Sequence, residues 1–112
     1  MAQQPLWDIY ESAILLDAYL KECTGEFTHR AAIEFVSRTL RKMAINNGRS
    51  IDSIYRNENG ISFQIMAMES AYTGHTVVKE PSRLFLQTVK LYRSDPDRYD
   101  RILCEAYKRA SK

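Results

Sequence analysis

Residues 27–48 read FTHRAAIEFVSRTLRKMAINNG, and this stretch spells a whole helix from cap to stop. Thr28 offers an N-cap hydroxyl, and Phe27 stands before it where a hydrophobic staple reaches the first turn. Ile33, Val36, Leu40 and Met43 follow at steps of three, four and three, flanked by Ala32 and Ala44: one apolar stripe of 3.6 period. Arg30, Arg38, Arg41 and Lys42 occupy the other face, and Asn47-Gly48 supplies the stop.

The same grammar extends in both directions. Upstream, Pro5 suits the first turn of a helix from about Leu6 to Glu22. Ile9, Ala13, Leu16 and Leu20 form its stripe, widened by Leu15 and Tyr19, with Trp7 over the edge of the core and Thr24-Gly25 at the end. Downstream, residues 50–60 suggest a short helical turn from Ile51 to Tyr55, with Ile54 or Tyr55 tucked inward. A tight connection through Arg56 to Gly60 follows. Asn-Gly often marks a hairpin, but no alternating strands flank it here. Ile61, Ile65, Met68 and Tyr72 predict a third helix, closed by Thr73-Gly74. Thr76 to Val78 reads as an extended linker. Pro81 and Ser82 open a fourth helix with adjoining rows Leu84, Thr88, Leu91 and Phe85, Val89, Tyr92. Asp95-Pro96 opens a fifth, whose inner face is Tyr99, Ile102, Leu103, Ala106 and Tyr107. The expected fold is all-α: one orthogonal bundle of about five short helices with a tri-helical core, spanning residues 1–112 as a single domain.

Composition agrees and removes whole classes of function. The 112 residues are 45% apolar and 27% charged, with a net charge of +2, which suits one soluble domain rather than a charged tail. Apolar runs are far too short to cross a bilayer, and neither end carries a lipidation motif. Cys23 and Cys104 stand far apart, and the acidic N-terminal stretch is unlike a secretory peptide, so reduced thiols and a cytoplasmic location are expected. His29 and His75 stand outside any metal-ligand spacing. Nucleophile elbows and Walker or dinucleotide glycine patterns are missing, because Gly25, Gly48, Gly60 and Gly74 stand singly. The expectation is a protein without catalysis, metal or cofactor.

Charge is unevenly distributed. Residues 1–27 hold five acids and one base, whereas residues 28–56 hold six bases and two acids. Arg38, Arg41 and Lys42 fall within little more than a turn of the second helix, and Arg49 and Arg56 come within reach of the same region. Such a cluster suits phosphate neutralisation, although a solvated helix face has the same appearance.

The segment Tyr55-Arg56-Asn57-Glu58-Asn59-Gly60-Ile61-Ser62-Phe63-Gln64 resembles the (F/Y)-R-N-x-N-G-(V/I)-x-x-(K/Q) signature of a small helical domain. That domain stands at the N-terminus of many bacterial HNH-type endonucleases and in related defence and mobile-element proteins. The Leu-rich helix from Trp7 to Tyr19 and the element Ser37-Arg38-Thr39-Leu40-Arg41 extend the likeness over roughly residues 6–92. The resemblance implies an accessory DNA-binding module of three helices; no HNH motif accompanies it here, so nuclease activity does not transfer.

The residues themselves allow two readings of that segment. In one, a helix beginning at Asn59 or Gly60 aims its first amides at a phosphate, Arg56 adds charge, and Asn57, Ser62 and Gln64 bond phosphates or base edges. In the other, Asn59 caps the helix, Gly60 relieves strain, and Arg56 bonds a carboxylate such as Asp52 or an open carbonyl. Tyr55 and Phe63 read as core. The expected nucleic-acid contacts are therefore Arg38, Arg41, Lys42, Arg49, Arg56, Asn57, Asn59, Gly60, Ser62 and Gln64, with duplex DNA as the expected ligand. The alternative is a protein-interaction module (an inhibitor, adaptor or homodimer subunit) acting on a nucleic-acid enzyme through aromatics such as Phe85, Tyr92, Tyr99 and Tyr107.

Overall fold

Asp8 opens the first helix with a capping box. Its carboxylate accepts from the Glu11 amide at 2.9 Å, and the Glu11 carboxylate accepts from the Asp8 amide at 3.1 Å. Two orphan donors are satisfied reciprocally, and this fixes the start of α1 (Ile9–Cys23) at the first residue of the apolar stripe, three residues later than a first-turn Pro5 suggests. Four further helices follow in a computed structural model that describes residues 6–75 and 80–111: α2 (His29–Asn46), α3 (Glu58–Thr73), α4 (Arg83–Ser94) and α5 (Pro96–Ala110). No strand occurs among the described residues. Pro5 and the linker Thr76 to Val78 lie outside them.

Helix boundaries follow their caps. Thr28 accepts from the Ala31 amide at 3.0 Å, Ser82 from Phe85 at 3.1 Å, and Asp95, followed by Pro96, from Arg98 at 3.3 Å. Gly74 ends α3 in the left-handed region at φ 80°, a conformation glycine adopts without a Cβ penalty. The stretch 47–57 contains turns rather than the expected helical turn. The Asp52 carboxylate accepts from the Ile54 and Tyr55 amides at 3.1 and 2.9 Å, and this local side-chain competition with the backbone turns the chain. Tyr55 faces inward and Ile54 outward, 55% exposed.

Packing gives α1 a special position. It touches all four other helices, and these form a closed ring: α2 meets α3, α3 meets α4, α4 meets α5, and α5 returns to α2. The opposite pairs, α2 with α4 and α3 with α5, do not touch. Helices α1, α2 and α3 contact one another pairwise, and α4 and α5 close the bundle on the far side of α1. An axial helix must be apolar on every side, and Glu11 to Leu16 are all buried. Its few polar groups are paired: Ser12 with Thr88 at 2.7 Å, the Ala13 carbonyl with the Tyr99 hydroxyl at 2.8 Å, and Asp17 with the Tyr107 hydroxyl at 2.6 Å. No described helix is long and apolar enough to cross a membrane.

Candidate nucleic-acid interface

The inner stripe of α2 packs on α1, so the residues a half-turn away must face solvent. There Arg38, Arg41, Lys42 and Ile45 recur at three- and four-residue steps. Together with Glu34, Ser53, Asn57 and Glu58 they line a concavity of about 560 Å3. Arg38 and Lys42 are exposed, and neither makes an ion pair among the described residues. The Arg38 guanidinium sits 6.0 Å from the centre of the Phe35 ring. Arg41 is half-buried, and its Nη1 donates to the carbonyls of Asp52 and Tyr55, tying the turn 52–55 to α2. Glu34 is already paired with Arg30 at 3.0 Å. Among the described residues, three cations therefore confront one acid of this concavity that has no ion pair, Glu58.

Arg56 does not join them. Its side chain is only 4% exposed and meets the equally buried Glu11 carboxylate at 2.8 Å from Nε and 3.2 Å from Nη2. The guanidinium lies between two rings, 4.9 Å from the centre of Trp7 and 4.8 Å from that of Tyr55, and the Arg56 carbonyl accepts from Ser37 Oγ at 2.7 Å. A buried carboxylate requires a partner, and Glu11, carried by the axial helix, claims this cation. The phosphate contact expected of Arg56 is thus corrected to an internal ion pair, with Glu11 as partner rather than Asp52. The single sequence signal for Glu11 is its place in the Asp8 capping box. Burial, and next the charge of Glu11, raise the Tyr55 phenol above its ordinary pKa, against the opposing pull of Arg56 and Arg49.

The rest of the motif divides between structure and surface. Asn57, not Asn59, caps α3; its Oδ1 accepts from the Gly60 amide at 2.8 Å. A Cβ at Gly60 would lie 3.2 Å from that oxygen, so glycine keeps the cap unobstructed. The cap occupies the Gly60 amide and Glu58 places a negative charge in the first turn, so a phosphate at this helix start would meet one donor already taken and a like charge. Ser62 Oγ donates to the Asn59 carbonyl at 2.6 Å. Arg49 stands apart from the cationic row, 5.7 Å above the Tyr55 ring, beside a separate hollow shared with Asp8 and Asn47.

Asn59 and Gln64 remain open. They line a cleft of about 280 Å3 with Trp7, Ile54, Asn57 and Gly60, and neither side-chain amide is hydrogen-bonded within the described residues. Asn57 borders both this cleft and the cationic concavity. Phe63, expected in the core, is 47% exposed. The aromatics of the alternative reading point inward instead: Phe85 and Tyr99 are each 2% exposed, and Tyr92 packs edge-on against Tyr99 at 5.2 Å. Among the described residues no group of three or more His, Cys, Asp or Glu is disposed to hold a metal. No protein-family model matches the chain, and neither a curated protein nor a solved structure matches it.

Proposed function

We propose that this chain is a nucleic-acid-binding module without catalytic activity, of the accessory kind implied by the Arg-Asn-x-Asn-Gly resemblance, and that it engages DNA phosphates through the outer face of α2. The observation that carries this reading is the convergence of Arg38, Arg41 and Lys42 on one open concavity. Two of the three have no ion pair among the described residues, and the third is oriented by backbone carbonyls. Three neutralised phosphates release their counterions, so duplex affinity should fall roughly fortyfold between 50 and 200 mM salt. Fluorescence anisotropy of a labelled duplex tests this, with Arg38→Ala/Lys42→Ala expected to remove most binding. No retention by the parent protein at low salt would refute the reading.

One observation favours the alternative, a protein-interaction module. Ile45, 57% exposed, lines the cationic concavity, and phosphates gain nothing from an aliphatic neighbour, whereas an acidic, partly apolar protein surface does. Light scattering separates the two: a mass increase that depends on DNA supports the first, and salt-insensitive self-association supports the second.

A further inference from the structure

Two cavities meet at Asn57. One is lined by Arg38, Arg41 and Lys42, and the other by Trp7, Ile54, the Glu11-paired Arg56 and the amides of Asn59 and Gln64, which are unbonded among the described residues. A phosphate track needs only the first. The second has the two properties that recognise a nucleobase edge: side-chain amides that both donate and accept, and apolar walls. In a duplex the base edges are recessed in a groove and their faces are stacked, whereas an unpaired base offers both to a narrow cleft. We infer that the ligand is a strand containing at least one unpaired base, held in the Asn59–Gln64 cleft while its phosphates lie on the α2 row. Phe63, exposed on the same first turns of α3, supplies a neighbouring face for the next base. This inference rests on the nucleic-acid reading and names the strand state that the cationic row alone leaves open.

Trp7, the sole tryptophan, reports on the cleft directly. The intact protein is titrated at low salt with a mixed-sequence oligodeoxynucleotide of about twelve nucleotides and with a blunt duplex of the same length. The expected result is quenching of Trp7 by the single strand and roughly tenfold tighter binding of it than of the duplex. Asn59→Ala/Gln64→Ala should erase that preference; neither side chain caps a helix or pairs internally. Lys42→Ala should instead weaken both ligands and keep their ratio. Equal or tighter binding of the duplex overturns the inference while leaving the nucleic-acid reading intact, as does a preference that survives Asn59→Ala/Gln64→Ala. Failure to bind either ligand overturns both.

Discussion

Arg56 and Lys42 are separated by little more than a dozen positions, yet their charges meet opposite fates. Arg56 lies between Trp7 and Tyr55 and is bound to Glu11 inside the bundle, whereas Lys42 stands in solvent without an ion pair among the described residues. Nothing in the chemistry of the two side chains requires this. The difference comes from what the axial helix presents: α1 brings a carboxylate beneath the 47–57 segment, and a buried anion must be matched. A basic side chain is therefore left in solvent only where no internal acid has claimed it.

The largest effect should come from breaking the buried side of that contrast. Arg56→Ala strands Glu11 and is expected to cost about 3–5 kcal/mol, lowering the melting temperature by more than about 12 °C. Combining it with Glu11→Ala should cost less than the two single losses added, by roughly 0.5–3 kcal/mol of coupling in urea titrations. Simple additivity would show that the pair is not a unit.

Two tyrosines of α5 that bond to the axial helix sharpen the comparison through pH. Burial first, with the charge of Asp17 next for Tyr99 and its hydrogen bond next for Tyr107, raises both phenols well above their ordinary range. The folded state thus holds the proton more tightly than the unfolded chain, whose phenols titrate near about 10. Stability is fully present below that pH and is lost as pH rises through and beyond it. Chemical denaturation from neutral to strongly alkaline pH should record the decline, and Tyr99→Phe/Tyr107→Phe should flatten it.

Smaller effects test the surface. Asn57→Ala removes the α3 cap and should cost about 1 kcal/mol. Arg38→Ala and Lys42→Ala should each change stability by less than about 0.5 kcal/mol while weakening nucleic-acid binding. A large stability loss at either position would mean that the row is structural, like Arg56.

Much of the fold was legible because its signals are local. Thr28, Ser82 and Asp95 cap their helices as the sequence predicts, and Val36, Leu40 and Met43 of the α2 stripe are buried, with Ile33 half-buried at its end. The less regular boundaries went differently for equally local reasons: the Asp8–Glu11 capping box set the start of α1, and the Asn57 side chain set the start of α3. The candidate site was only partly legible. Arg38, Arg41 and Lys42 share a surface because helical periodicity forces it, whereas the fate of Arg56 depends on Glu11, 45 positions away. Phe63 shows the converse, an apolar residue whose helix offers it no neighbour to cover it fully.

Helix number, most caps and the one-sided basic row of α2 were thus determined by sequence alone, since each depends on residues within a turn or two of one another. Only the tertiary structure decided that α1 is the axle of the bundle, that Glu11 meets Arg56 across 45 positions, and that two amides are left open beside the remaining cations. Those outcomes depend on which helix faces are brought together, and a buried charge takes whatever partner that assembly supplies.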